Sequence, residues 1–136
     1  MSALLINDVP IECINQAAVT YYVPAAVIIS VLKTEGGRNG MAKPNKNGTF
    51  DYGPMQINTI WLNKIKAYGY TVQDIQFNPC KNVQVGTWIL SQSIANASNF
   101  GTGVGDYHSH TWYLNQKYMA KVVKHYQLIN SVINSE

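Results

Sequence analysis

Ala25-Ala26-Val27-Ile28-Ile29-Ser30-Val31-Leu32-Lys33-Thr34-Glu35-Gly36-Gly37 is the stretch that decides how the chain folds. From Ala25 to Leu32 it is apolar on nearly every side, so as a helix it has no face to offer to water and belongs at the centre of a domain. Pro24 fits a first-turn position, where its missing N–H removes nothing, and predicts a helix over residues 24–35. The run ends on Glu35, and the two glycines after it stop the helix and open a flexible edge. A lone carboxylic acid is thereby carried from a buried segment to the rim of the core. Burial favours the protonated form, which is what a general acid requires. The chain holds three glutamates, and Glu12 and Glu136 lie near the termini, where solvent is the default. The plain alternative for Glu35 is an exposed helix end with no role.

Working outward, Pro10 opens a helix over residues 11–21 in the same way. Residues 13–32 carry no charge. However, Asn15, Gln16, Thr20, Tyr21, Tyr22 and Pro24 interrupt them, leaving an apolar run about half of the ~20 residues that cross hydrocarbon. Two core helices are expected, and no transmembrane segment. Residues 36–48 are rich in Gly, Asn, Lys and Pro and read as the lip of a cleft, with a small hairpin over residues 48–52. Asn58 caps a helix through Lys66, with Ile57, Trp61, Ile65 and Tyr68 at helical spacing and Gly69 ending it. Thr71-Val72-Gln73-Asp74 is a short capping box, with Asp for the preferred Glu. Pro79 starts a helix to about residue 99. Phe100-Gly101-Thr102-Gly103-Val104-Gly105 reads as a breaker. The last helix spans residues 111–132 and aligns Leu114, Tyr118, Val122, Tyr126, Ile129 and Ile133. The expected fold is mainly α: one helical domain over residues 1–136, with its core at about 11–128 and a small loop or β-hairpin lobe bordering the cleft.

At 136 residues one domain is expected, burying about two thirds of its unfolded surface. Charged residues make up 12% against a usual share of about 25%, so the surface favours hydrogen bonds over ion pairs. The net charge of +3 comes from nine lysines and one arginine. That is too mild and too poor in guanidinium forks to argue for nucleic acid, and suits an anionic polymer loosely. Cys13 and Cys80 show no CxxC or Cys/His ligand spacing, which argues against zinc and leaves a disulfide or two buried thiols. A bridge would stabilise by about 4 to 5 kcal/mol at best and needs an oxidising compartment. Residues 1–10 lack the pattern of a secretory leader, so either the chain is cytosolic or a leader has been removed.

Sixteen positions after Glu35 comes Asp51-Tyr52-Gly53-Pro54-Met55-Gln56-Ile57-Asn58. One acid on a helix end and another on a neighbouring loop suggest sugar chemistry. Gln56 and Asn58 suit N-acetyl and hydroxyl groups, and Met55 offers a soft apolar contact to a sugar ring. Capping by Asn58 and core packing by Ile57 are compatible alternatives. For Asp51 the alternative is a turn residue bonding a local backbone N–H. His108 and His110, with Asp106, alternate in a way that tempts a metal assignment, but nothing else completes a shell, so no metal and no cofactor are assigned. Trp61, Trp88 and Trp112 either stack on sugars or fill core. Lys117, Lys121 and Lys124 form a solvated helix face that would also suit an anionic polymer.

Three separated motifs resemble one family, the peptidoglycan lytic transglycosylases of the lysozyme-like superfamily. The likeness is strongest to the small ones that accompany type IV secretion, conjugation, pilus and type III secretion machines. Ala25 to Glu35 is similar to the family's apolar helix ending in its catalytic glutamate. Asp51 to Asn58 is similar to its Gly-Leu-Met-Gln-Ile-Asn signature. Val104-Gly105-Asp106-Tyr107-His108-Ser109, followed by Tyr118 and Val122, is similar to its Tyr-Asn or Tyr-His segment. The chain departs from the pattern at Gly36, where Ser is usual, and at Pro54, where Leu is usual. The resemblance implies a lysozyme-like fold, Glu35 as catalytic acid then base, and an anhydro-sugar product. It implies that Tyr107 approaches and positions Glu35, and that Met55, Gln56, Asn58 and His108 bind substrate. It also implies a disulfide between Cys13 and Cys80, and export to the periplasm or cell envelope with the signal peptide gone. The implied partners are peptidoglycan strands and an envelope-spanning secretion or pilus machine. Asp51 also resembles the second carboxylate of animal c-type lysozymes, which would serve a muramidase if the two acids lay about 5 to 5.5 Å apart. A catalytically silent glycan-binding module is the remaining alternative.

Overall fold

The computed structural model describes residues 4–134, with side chains described through residue 131. The ends of the expected domain and the side chain of Ile133 lie outside the described residues. Pro10 and Pro24 are both N-caps rather than first-turn residues, with ψ of 138° and 136°. An N-cap takes extended backbone and needs no N–H, which proline satisfies. Helix α1 therefore runs Ile11–Tyr21 and α2 runs Ala25–Glu35, and they meet at 120°. Ile28, Val31 and Leu32 of α2 have no exposed surface, as expected of a helix apolar all round. Gly36 closes α2 at φ 68°, its N–H donating to the Leu32 carbonyl at 2.9 Å. A side chain disfavours that left-handed conformation.

Helix α7 (Trp112–Asn134) packs against α2, and α5 (Pro79–Ala95) packs against α1. The α1–α5 contact carries the Cys13–Cys80 disulfide, with Cα atoms 5.3 Å apart. On α7, Tyr118 and Val122 are buried and Leu114 partly so, while Tyr126 is exposed. Asn115 joins the buried face at 1% exposure, and farther along Ile129 is half-buried.

Helix α5 stops short of residue 99, because Asn99 is the N-cap of a further helix. Its side chain accepts from Thr102 N at 2.9 Å, and α6 spans Phe100–Asp106 where a breaker was expected. The glycines are there for contact: a Cβ on Gly103 would strike the Ile94 backbone, and one on Gly105 the Asn115 side chain. Close packing of α6 against α5 and α7 outweighs glycine's poor helix propensity.

The expected hairpin is larger than residues 48–52. Strands β3 (Ala42–Pro44), β4 (Phe50–Tyr52) and β5 (Ile57–Asn58) form an antiparallel sheet in that order, pairing Lys43 with Asp51 and Asp51 with Asn58. A 3-10 turn (Thr59–Trp61) and α3 (Leu62–Lys66) follow, then α4 (Val72–Phe77), whose Thr71/Asp74 capping box is complete. A second hairpin, unforeseen in the sequence, joins β1 (Leu5–Ile6) to β2 (Val9–Pro10). Its two turn residues, Asn7 and Asp8, have φ of 52° and 68°, a primed-turn conformation that Asn and Asp tolerate. Among the described residues no single helix is long and apolar enough to cross a membrane; α1 and α2 reach that length only together, across their bend.

Candidate active site

Glu35 is delivered by the last turn of α2 to the face where α7 crosses it, and Tyr118 of α7 donates its hydroxyl to Oε2 at 2.7 Å. The Glu35 pKa is pushed up to about 7. Burial is the main cause, and the negative charge of Asp51 adds to it. The Tyr118 hydrogen bond and the charges of Lys43 and Lys121 pull the other way. A carboxyl half protonated near neutrality is able to give a proton and take one back.

Asp51 sits in the middle strand of the sheet, facing Asn58. Asn58 donates Nδ2 to Asp51 Oδ1 at 2.9 Å and to Thr49 Oγ1 at 3.1 Å, while its own Oδ1 accepts from Ile60 N at 3.1 Å. The cap expected of Asn58 is therefore present, and the same amide fixes the Asp51 carboxylate through a cross-strand bond. Glu35, Asp51, Gln56, Asn58, Tyr107 and His108 all line one cleft of about 610 Å³, walled by the 45–49 loop and Trp61.

Met55 does not line it. The sugar contact expected of this side chain is excluded, because Met55 has no exposed surface and lies against Gly86 and Thr87 beneath the cleft. Its backbone is what matters locally: the carbonyl accepts from Tyr107 Oη at 2.8 Å, and the N–H donates to Asn82 Oδ1 at 2.9 Å. Tyr107 lies near enough to Glu35 to feel its charge, but its hydrogen bond goes elsewhere. Its hydroxyl goes to Met55, and Tyr118 takes the hydrogen-bonding place beside Glu35. Burial, with the charges of Glu35 and Asp51 added, holds the Tyr107 pKa well above the ordinary range, so it stays neutral. Gln56 occupies left-handed backbone at φ 54° and turns Nε2 onto Gly53 O at 2.9 Å, bracing the turn while still bordering the cleft.

His108 stacks on the Tyr118 ring, with centroids 4.8 Å apart and planes 5° from parallel. Burial and Lys121 lower its pKa, against a raising effect from Asp51. His110 points instead to Asp106, at 3.3 Å, and that carboxylate also accepts from Asn115 Nδ2 at 2.8 Å. Two residues were missed in the sequence. Tyr118 was placed on a helix stripe and after the third motif, but given no part beside Glu35. Asn82 is fully buried, its Nδ2 donating to Tyr52 O at 3.0 Å and Ile75 O at 2.7 Å, so it ties α5 to the turn beneath the cleft. Its signal was an amide inside an otherwise apolar helix face, since buried polar groups are there to make hydrogen bonds.

The cleft thus gathers an acid with a raised pKa, a second carboxylate and neutral amides around one groove. The model for the transglycosylase SLT domain matches residues 12–130. The chain belongs to that family. As an SLT domain it is 28% identical to Protein IpgF of Shigella sonnei over 101 residues, 74% of this chain and 66% of that protein, just under two thirds of its length. It is 27% identical to a peptidoglycan-binding-like protein of Escherichia coli over 130 residues, 90% of this chain and 78% of the relative. Against Invasion protein IagB of Salmonella typhimurium the identity is 25% over 138 aligned residues, 98% and 86% of the two chains.

Proposed function

We propose that this SLT domain is a murein lytic transglycosylase that cleaves the β-1,4 bond between MurNAc and GlcNAc and leaves a 1,6-anhydroMurNAc end. The observation that carries the reading is Glu35 itself: a largely buried carboxyl at a cleft wall, anchored through Oε2 by Tyr118, with its pKa raised to about 7. The anchored oxygen leaves Oε1 to carry the proton. Glu35 protonates the departing glycosidic oxygen, then as carboxylate draws the proton from the muramyl 6-hydroxyl. That oxygen closes on C1, so no water is consumed. Asp51 lends negative charge to the developing oxocarbenium ion. Gln56, Asn58 and His108 border the sugar, and Tyr107 shapes the floor through Met55.

The name of one relative, peptidoglycan-binding-like, supports a murein substrate, and the likeness of the motifs to the small machine-associated members of the family supports a role beside an envelope-spanning machine. The Cys13–Cys80 bridge supports export to an oxidising compartment, the periplasm. A second reading, a hydrolytic muramidase, is favoured by the proximity that lets Asp51 raise the Glu35 pKa. Mass spectrometry of murein digested by the protein separates the two. Anhydro ends are expected; predominantly reducing ends establish the muramidase, and intact murein leaves only a binding module.

A further inference from the structure

The N-terminal hairpin precedes the residues that match the family, and it touches the loop that follows Glu35. The Asn7 side-chain amide donates twice: to Leu32 O at 2.8 Å, in the last turn of α2, and to Gly37 O at 3.0 Å, in the loop beyond. Those two carbonyls bracket Glu35. Asp8 takes hold of the same loop a little farther on, accepting from Arg38 Nη2 at 2.9 Å, Arg38 Nε at 3.1 Å and Asn39 N at 3.0 Å. On its other side the loop has no room to shift. A Cβ on Gly37 would strike the Gly53 and Pro54 carbonyls and Gln56 Nε2, in the turn that follows Asp51. The hairpin is itself anchored: Val9 is fully buried, Ile11 N donates to Leu4 O at 3.1 Å, and α1, which continues it, is bridged to α5 through Cys13.

We propose that the Asn7–Asp8 turn is a positioning clamp for Glu35, pressing the end of α2 and its following loop against the Gly53–Gln56 turn so that the acid is held in the cleft wall. The clamp rests on the reading of Glu35 as the proton donor. A helix end leaves its final carbonyls without helical partners, and the chain beyond a glycine cap is free to swing. Asn7 adds a second donor to the Leu32 carbonyl, which already accepts from Gly36 N, and holds the Gly37 carbonyl of the loop with the same amide, which sets the direction in which the chain leaves Glu35. The titratable and charged groups that face Glu35 are Tyr118 and Lys121 of α7, Asp51 and Lys43 of the sheet, and Tyr107. Asn7 carries no charge, so its removal alters the acid only by moving it.

Asn7→Gly is the decisive variant, because glycine keeps the left-handed turn at φ 52° and deletes only the amide. With carbon-13 in the glutamate carboxyls, the chain gives signals from Glu12, Glu35 and Glu136, and Glu35→Gln identifies the one of interest. In folded Asn7→Gly the Glu35 midpoint is expected to fall by about one pH unit toward the ordinary carboxylate value as water reaches it. Turnover of murein is expected to drop about tenfold with KM nearly unchanged. Arg38→Met, which releases the exposed half of the clamp without touching the turn, is expected to move both readouts the same way by less, and serves if Asn7→Gly does not fold. A wild-type Glu35 titration and wild-type turnover in a folded variant overturn the clamp. The titration reads the clamp even if Glu35→Gln remains active, an outcome that would overturn the reading of Glu35 instead.

Discussion

Tyr118 and Glu35, 83 positions apart in sequence, are joined by one hydrogen bond of 2.7 Å from the phenol to Oε2. The bond favours the carboxylate and so holds the Glu35 pKa below where burial alone would put it. Removing the hydroxyl raises that pKa further. In Tyr118→Phe the alkaline limb of the activity profile, where the acid loses its proton, is expected to move to higher pH. The maximal rate should fall about tenfold because Oε2 is no longer held. A pH–rate profile on purified murein checks both, and an unmoved alkaline limb would separate Tyr118 from the acid.

This pair also marks how far the sequence could be read. Glu35 was legible because an apolar helix ending in Glu-Gly-Gly is a local pattern, and α1, α3, α4 and the start of α5 were legible through local caps and prolines. Tyr118 was not, since a tyrosine on a helix stripe looks the same whether its ring fills core or its hydroxyl meets an acid on another helix. The positioning of Glu35 was expected of Tyr107, and the hydrogen bond to that acid comes from Tyr118. Helix α6 was hidden because its glycines signal a breaker locally and a close helix contact only in three dimensions. The first hairpin was hidden because Asn7 and Asp8 form a two-residue turn between strands of two residues each, too short for alternation to register. Met55 was misassigned because a methionine beside a binding signature looks like a contact until burial is known.

The raised Glu35 pKa has a consequence for stability whose sign is fixed. Below the ordinary carboxylate pKa of 4.5 the group is protonated both folded and unfolded, and nothing is lost. As pH climbs to the folded value of about 7, the unfolded chain ionises more readily, so folding loses stability. At about 1.4 kcal/mol per unit the full loss is about 3 kcal/mol, reached above pH ~7. Glu35→Gln removes the penalty. It is expected to abolish cleavage while unfolding at a higher temperature than wild type at pH ~8, with the difference gone at pH ~4. Equal melting temperatures at both pH values would contradict the burial of this acid, and retained cleavage would remove it from the chemistry.

Asn82 connects fold to site. Its amide makes three hydrogen bonds, to Met55 N, Tyr52 O and Ile75 O, with no exposure to water that could replace them. Asn82→Leu, close in size, leaves those backbone groups without their partners. A loss of about 3 kcal/mol is expected in urea denaturation. Asn82→Asp keeps the acceptor toward Met55 N but loses both donated bonds, and should be no better. Wild-type stability in either variant would mean that the turn under the cleft is held by something else.

The disulfide closes a loop of 67 residues. Loop-closure entropy at that length is about 4 kcal/mol, and measured values often come out lower. Reduction should therefore lower the urea midpoint clearly, with cleavage retained at low denaturant, since the bridge joins α1 to α5 away from the cleft lining. Two free thiols counted in the unreduced, denatured protein would exclude the bridge.

Asp51 is the residue whose proposed role differs between the two enzymatic readings. Asp51→Asn preserves size and hydrogen-bonding shape, so the Asn58 contact at 2.9 Å need only rearrange, while the negative charge disappears. Its loss also removes a group that raises the Glu35 pKa, so the alkaline limb of activity should move to lower pH. If the carboxylate acts as nucleophile or as an indispensable counter-charge, the barrier rises by roughly 3 to 4 kcal/mol and activity approaches that of Glu35→Gln. The transglycosylase reading expects less: a fall of about tenfold, near 1.4 kcal/mol, with anhydro products persisting. The muramyl acetamido group can stabilise the cation from within the substrate, leaving Asp51 an auxiliary charge. Digesting purified murein with wild type and Asp51→Asn, and counting anhydro and reducing ends separately, distinguishes the two. A collapse to the Glu35→Gln level together with reducing ends from the wild type would replace the transglycosylase with a muramidase built on the same two acids.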